Sequence, residues 1–385
     1  MPKYNTRLEM ITRLISIPSV SSALPELDQG NRAVVDTLAD RLQAAGFRIE
    51  ILPVNPDQEK YNLVATRGEG SGGLVLAGHT DTVPTNPELW RHNPFKLTED
   101  GGRLYGLGTA DMKAFFALAI EAAETFSGQR LKEPLTILAT ADEESSMSGA
   151  KALAAAGTLR ARGAIIGEPT GNRPVRMHKG ITMERIRVLG QSGHSSNPAL
   201  GRNALEGMYK VLTTLLEFRD ELQARYHNEQ FEVPVPTLNL GHIQGGDNPN
   251  RICGDCLLDI DLRPLPGMDI VELRQTLRQR LQNCLAGDGL QLEFEMLFPG
   301  IPAMETPAGS ELVKTVESLS GCRSEAVAFG TEAPYLQELG MDVVIMGPGR
   351  IEQAHQPDEY IEIGAMEPYI ELLKQLIYKY CVVGH

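Results

Sequence analysis

The chain has 385 residues, 42% hydrophobic and 22% charged, with a formal net charge of −14. That length exceeds what one hydrophobic core usually supports, so two domains are expected, and the ordinary composition excludes a disordered or fibrous protein. The acidic balance excludes nucleic acid and anionic membrane surfaces as partners, since both reward basic patches.

No apolar run approaches the ~20 residues of a membrane span, and a cytoplasmic protein is expected. Five cysteines, Cys253, Cys256, Cys284, Cys322 and Cys381, are odd in number and scattered, so reduced thiols are expected.

In chain order, Leu8, Ile11, Leu14 and Ile15 repeat at helical spacing and stop before Pro18. A second stripe, Val34, Val35, Leu38, Leu42 and Ala45, is closed by Gly46. Strand patterns follow at 48–52, 62–66 and 74–77. The segment Gly68-Glu69-Gly70-Ser71-Gly72-Gly73 matches G-x-G-x-x-G, but it precedes a strand, whereas a dinucleotide loop follows one and opens a helix. A hairpin turn is the expectation there. The third strand runs into His79-Thr80-Asp81, an imidazole at the carboxyl edge of a sheet with a carboxylate two residues along to hold its second nitrogen.

A glycine-punctuated loop from Arg103 to Lys113 leads into a helical run over 114–126 and leaves Asp111 near the helix start, where alone it reads as a cap. The buried-strand run 135–140 ends in Ala141-Asp142-Glu143-Glu144. Three consecutive acids repel one another unless a cation or solvent compensates. The run 164–166 repeats the design and delivers Glu168.

Between residues 181 and 298 the order becomes β-α-β-β-α-β, the split βαβ arrangement of ferredoxin-like folds. It reads as an insertion, dividing the chain into one domain of residues 1–180 and 299–385 and another of 181–298. Cys253-Gly254-Asp255-Cys256 falls in a strand pattern, where positions three apart face opposite sides, and no second pair exists, so it is read as structural.

His79, Asp81, Asp111, Glu143, Glu144, Glu168 and His355 all stand at strand ends or in loops. In an α/β sheet such edges converge on one crevice. Two imidazoles and several carboxylates without thiolate suit zinc, cobalt or manganese. The acids outnumber what one tetrahedral ion needs, whereas two ions ~3.5–4 Å apart, bridged by a carboxylate, would use them all.

His79-Thr80-Asp81-Thr82-Val83-Pro84, Gly108-Thr109-Ala110-Asp111-Met112-Lys113, Ala141-Asp142-Glu143-Glu144, Gly167-Glu168-Pro169-Thr170 and Ala354-His355-Gln356-Pro357-Asp358 resemble the five motifs of the dinuclear-zinc aminoacylase and succinyl-diaminopimelate desuccinylase peptidase family, in the family's order. The resemblance implies an α/β fold: a zinc-peptidase-like catalytic domain, a mixed sheet flanked by helices, with an inserted ferredoxin-like α+β lid and dimerisation domain. It implies two divalent ions per subunit, Zn2+ or Co2+, with His79 and Glu168 on one, Glu144 and His355 on the other, and Asp111 bridging. Asp81 would orient His79, and Glu143 would be the general base.

By the same resemblance His194, in Gln191-Ser192-Gly193-His194-Ser195-Ser196, would stabilise an oxyanion in a partner subunit, which implies a homodimer. Asn250 and Arg251 would face substrate, Arg251 clamping an α-carboxylate, and Gly330 and Thr331 would line the pocket. The implied reaction is hydrolysis of a small N-acyl amino acid, with N2-acetyl-L-ornithine, in arginine biosynthesis, as the expected substrate. Succinyl-diaminopimelate or another N-acyl amino acid is the alternative, and a catalytically silent metal- or ligand-binding protein is the rival of another class. Leu107, where many relatives carry arginine, and Ala114, where glycine is usual, depart from the pattern but spare the ligand positions.

Overall fold

The computed structural model describes residues 6–384. The chain forms two compact units, one of Met1–Arg176, Thr306–Glu325 and Glu332–His385, the other of Met177–Glu305 and Ala326–Thr331. Among the described residues no helix is long and apolar enough to cross a membrane.

The first unit opens with α1 (Arg7–Ile15) and α2 (Arg32–Ala44), followed by β1 (Arg48–Asn55), β2 (Lys60–Arg67) and β3 (Leu74–His79). Thr6 and Glu9 close a reciprocal capping box on α1, which fixes its start one residue before the apolar stripe. After β4 (Thr98–Asp100) and β5 (Arg103–Tyr105) come α3 (Lys113–Glu124), β6 (Leu135–Thr140), α4 (Ser148–Ala156), β7 (Gly163–Ile166) and β8 (Val175–His178).

The second unit contains β9 (Ile181–Leu189), α5 (Ala204–Arg225), β10 (Thr237–Gly245), β11 (Asp255–Arg263), α6 (Ile270–Cys284) and β12 (Gln291–Ile301). Then follow β13 (Met304–Glu305), α7 (Glu311–Ser320), β14 (Glu325–Val327), α8 (Ala333–Glu338), β15 (Asp342–Ile345), β16 (Tyr360–Glu362) and α9 (Ile363–Ile377).

In the first unit the strands run in the order β1-β2-β6-β3-β7-β15-β8. The four neighbours β6, β3, β7 and β15 are mutually parallel, while β1, β2 and β8 join antiparallel. Every residue of β3, β6 and β7 is buried, which is why these strands read as unbroken apolar runs instead of alternating ones. The covering layers are α1, α2, α3 and α9, whose Ile11, Leu38, Phe116 and Leu373 meet in one core. Parallel neighbours share a direction, so the carboxyl ends of β6, β3, β7 and β15 open on one side, and the site lies there.

Gly68–Gly73 is not a hairpin turn. β6 lies between β2 and β3 and pairs with both, so the glycine loop is a crossover that spans the width of the intervening strand. The second unit is a four-stranded antiparallel sheet in the order β10-β11-β9-β12, with Met208, Val211 and Leu215 of α5 and Leu277 and Leu281 of α6 buried in its core. Strand β11 begins at Asp255, two residues after Cys253, so period-two alternation does not reach back that far, and Cys253 and Cys256 are both buried. All five cysteines are free thiols.

Candidate metal centre

Each parallel strand hands over one group or two. β3 ends on His79 itself, the turn after β6 carries Glu143 and Glu144, the turn after β7 carries Glu168, and the loop after β15 carries His355. That last loop is stitched to the Glu168 turn, with Gly171 N–H donating to the Gly349 carbonyl at 2.6 Å and Asn172 N–H to the Gly347 carbonyl at 2.8 Å.

Asp111 arrives from the loop between β5 and α3. It does not cap the helix: Met112 is at the cap position and no side chain caps there. Instead its two carboxylate oxygens diverge. Oδ1 lies 3.0 Å from His79 Nε2 and Oδ2 lies 3.4 Å from His355 Nε2. His355 Nε2 also lies 3.0 Å from Glu144 Oε2, and His79 Nε2 lies 3.8 Å from Glu168 Oε1.

The ligand atoms fall into two overlapping groups, His79 with Glu143 and Glu168, and His79 with Asp111 and Glu144, each within 4.8 Å. Glu143 therefore stands within 4.8 Å of His79 alongside Glu168, which its motif did not reveal. His79, Asp81, Asp111, Glu143 and Glu168 are buried, Glu144 is half-buried and His355 is exposed.

The acids cannot all stay ionised without compensation, since like charges ~4 Å apart cost about 4 kcal/mol each at an effective dielectric of ~20. Burial, and then the charge of Glu168, push the Glu143 carboxyl well above its usual range. Burial and then Asp111 do the same to Glu168. Burial opposes protonation of His79, yet Asp111, Glu168, Glu143 and Asp81 together carry it well above an ordinary histidine. His355, held by Asp111 and Glu144, is raised to about 10.

Two buried oxygens, Glu168 Oε1 and Asp81 Oδ1, take no hydrogen bond among the described residues. An excess of buried anionic oxygen, two imidazole nitrogens aimed into it and an orphaned carboxylate oxygen fit a pair of divalent cations.

Asp81 acts differently from expectation. His79 Nδ1 is 3.0 Å from the Asp81 backbone carbonyl, whereas the carboxylate Oδ1 is 3.7 Å away. The Asp81 side chain instead accepts the Glu144 N–H at 3.0 Å, because that amide turns in beside it at the end of β6. Asp81 thus holds one imidazole by its backbone and one ligand turn by its side chain.

Asp142 is not part of the anionic excess. Its Oδ1 accepts from buried Lys60 Nζ at 2.8 Å and Ser21 Oγ at 2.9 Å, and its Oδ2 from Ser148 Oγ at 2.8 Å. Lys60 also reaches Asp28 at 2.8 Å. At Asp142 φ is +57°, the left-handed bend that lets Glu143 and Glu144 leave the strand end in different directions, and the lysine holds it.

Glu359 was likewise invisible in the motifs. Its buried carboxylate accepts from the N–H groups of Gly108, Ala110 and Asp111 at 3.1, 2.7 and 3.0 Å. Burial, with the charge of Asp111 added, raises it to about 8 against those three donors. Glu332, buried at 1% exposure, accepts from Thr140 Oγ1 at 2.6 Å. Nothing distinguishes Glu359 from a surface acid in sequence, whereas Glu332 stands in the segment that also carries Gly330 and Thr331.

The remaining expected residues lie in the second unit. His194 is exposed, its Nδ1 2.7 Å from Ser196 Oγ. Its loop pairs with the neighbouring segment through a His194–Arg251 bridge, and Ser195 N–H donates to the Asn250 carbonyl at 3.0 Å. His194, Asn250 and Arg251 are therefore neighbours, with Arg251 paired to Asp247. Gly330 is half-buried and Thr331 buried.

The sequence signature of Peptidase family M20/M25/M40 matches residues 75–379. The chain belongs to that family. It is 50% identical over 368 residues to an acetylornithine deacetylase of Edwardsiella ictaluri (strain 93-146), covering 96% of each chain. Its fold is similar to that of the aminopeptidase PepT of Bacillus cereus ATCC 10987, with a TM-score of 0.77 at 17% identity over 96% of this chain and 97% of that one. It is also similar to the Bacillus subtilis YXEP protein, described as a dinuclear metal binding peptidase of the M20 family, with a TM-score of 0.67 at 16% identity over 96% and 97%. As a member of the M20 family the chain is a hydrolase of amide bonds with an α/β fold, a mixed sheet flanked by helices.

Proposed function

We propose that the chain hydrolyses N2-acetyl-L-ornithine to L-ornithine and acetate, a step of arginine biosynthesis, with two divalent cations, Zn2+ or Co2+, held by its first unit. The observation that carries the reading is Asp111, whose two oxygens face two different histidines, His79 at 3.0 Å and His355 at 3.4 Å. The substrate follows from the 50% identity to an acetylornithine deacetylase.

On this reading His79 and Glu168 would hold one cation and Glu144 and His355 the other, with Asp111 shared between them. When bound, such cations polarise an amide carbonyl and lower the pKa of water toward ~7. Glu143 is the general base. Its neighbour Glu144 is turned toward His355, which leaves the Glu143 carboxylate to take a proton from the attacking water. Burial raises the Glu143 pKa, which makes the carboxylate a stronger base toward that water and keeps the proton on it until the departing amine, the stronger base, takes it. His79 keeps its ring fixed through Nδ1–H donating to the Asp81 carbonyl, so that Nε2 stays a ligand atom.

The second unit is read as a lid and dimerisation domain of a homodimer, His194 stabilising the developing oxyanion and Arg251, with Asn250, taking the substrate carboxylate. Gly330 and Thr331 line the acyl-amino-acid pocket. Comparison of kcat/KM for N2-acetyl-L-ornithine and N-succinyl-diaminopimelate tests the assignment. A preference for the acetylated substrate is expected, and a preference for the succinylated one overturns it.

A further inference from the structure

The segment that follows His355 is tied to the segment that precedes Asp111. β16 and β5 form a short antiparallel ladder with Glu362 opposite Arg103, Ile361 opposite Leu104 and Tyr360 opposite Tyr105. The ladder gives out where Gly106 N–H donates to the Glu359 carbonyl at 3.0 Å. Beyond that point residues 107–111 turn away toward the metal centre, and the backbone of 359 can no longer follow them. Its side chain does.

Glu359 Oε1 accepts from Gly108 N–H at 3.1 Å, Ala110 N–H at 2.7 Å and Asp111 N–H at 3.0 Å, and Oε2 shares the Gly108 N–H at 3.1 Å. The carboxylate is 1% exposed, and all of these donors are backbone groups of the loop that carries Asp111. One residue earlier, Asp358 Oδ1 accepts the N–H groups of Arg91 and His92 at 2.9 and 3.0 Å. His355 is four residues upstream of Glu359, a reach of at most ~14 Å. Its own backbone bends at φ +58° and its side chain is 53% exposed, so its position is set by where this segment is anchored and not by core packing.

We propose that Glu359 is a positioning residue that fixes the spacing between Asp111 and His355, and so sets the affinity of the His355–Glu144 cation site selectively over the His79–Glu168 site. The inference rests on the two-cation reading above. His79 and Glu168 come from strand ends buried in the sheet, so their site meets the tether only once, through the Asp111 carboxylate it shares. The other site depends on it twice, through the backbone of Asp111 and through the segment carrying His355. Groups that orient metal ligands without touching the metal typically control affinity by about 10–100-fold.

The test is titration of the chelator-stripped full chain with Co2+ alone, following heat and the visible cobalt spectrum. Wild type is expected to take two equivalents in two steps. Glu359→Ala should weaken the second step by about 10–100-fold while the first stays within about threefold. Glu359→Gln, which keeps an oxygen where Oε1 sits, should stay within about threefold of wild type at both. If the Ala variant lacks a folded far-UV spectrum, Glu359→Asp, one methylene shorter, replaces it with the same expected selectivity. Equal weakening of both steps would make the residue merely structural and overturn the proposal. So would unchanged steps in the Ala or Asp variant, or a Gln variant as defective as Ala. A wild-type chain that takes up no Co2+ would instead sink the two-cation reading itself.

Discussion

Replacing Lys60 by methionine isolates the support beneath the Glu143–Glu144 turn. The ammonium is 1% exposed and lies 2.8 Å from both Asp28 and Asp142, whose side chains are each 11% exposed. Methionine keeps most of the length and apolar volume of the side chain but leaves two carboxylates facing each other without a cation. Breaking a buried pair this way costs about 3–5 kcal/mol. Asp142 keeps the hydroxyls of Ser21 and Ser148 and Asp28 keeps the Ser22 N–H at 3.0 Å, so the lower end, about 3 kcal/mol, is expected.

The sign of the pH dependence follows from the lysine. Burial lowers its pKa, but Asp142 and Asp28 outweigh burial and raise it above the ordinary 10.5. A raised lysine contributes stability fully below its unfolded pKa and loses it as pH climbs through the folded one. The difference between wild type and variant should therefore be constant from neutral pH to ~10 and shrink above it. Urea unfolding followed by far-UV circular dichroism measures it. Adding Asp142→Asn should cost less than the sum of the two single changes by more than ~1 kcal/mol. A loss below ~1 kcal/mol for Lys60→Met at neutral pH, or strict additivity with Asp142→Asn, refutes the argument.

Three further outcomes are expected. Glu143→Gln should lower kcat by about 10²–10⁴-fold while metal content stays at the wild-type value, and loss of metal would make Glu143 a ligand instead of a base. Gly347→Ala should weaken both folding and metal binding, because the new Cβ would sit 2.2 Å from the Gly167 carbonyl oxygen and 2.5 Å from that of Glu168, with only backbone to give way; overpacking of this kind costs about 1–3 kcal/mol or more in urea unfolding.

The third concerns His178, which is fully buried, with Nδ1 2.8 Å from the Lys179 carbonyl; burial lowers its pKa from 6.5 to about 4. The unfolded chain binds that proton between pH 6.5 and 4 and the folded chain does not, so this group removes up to ~1.4 kcal/mol of stability per pH unit as pH falls through that window. His178→Asn should flatten the acid limb of the stability profile by that slope, and an unchanged limb contradicts the assignment.

The parts of the molecule legible in sequence are those with a strong local period. β6 runs over Leu135–Thr140 with the bounds its apolar run indicates, and the β-α-β-β-α-β order of the inserted region appears as drawn, because each element there has one apolar face. Four of the five motifs converge because parallel strands carry their ends to the same edge, and the fifth, with Asp111, is brought there by the loop between β5 and α3. What sequence could not disclose is pairing between distant segments. The crossover of β2 and β3 around β6 depends on a strand that arrives some 60 residues later, and the glycine loop is compatible with either a hairpin or a wider span. Asp142 reads as one more metal-seeking acid until Lys60 is seen beside it, and Glu359 reads as a surface acid until the Gly108–Asp111 amides close on it. Even Asp81 exchanges roles: its carbonyl holds His79 while its carboxylate holds the Glu144 amide.

The central claim is that two cations held between His79, Asp111, Glu144, Glu168 and His355 make this chain an N-acyl amino-acid hydrolase. Metal content of the purified chain, measured together with ornithine release from N2-acetyl-L-ornithine before and after chelation, tests it most directly. Two equivalents per chain, with turnover abolished by the chelator and restored by Zn2+ or Co2+, is the predicted result. A chain that binds no divalent cation, or that turns over the substrate undiminished after complete chelation, contradicts it.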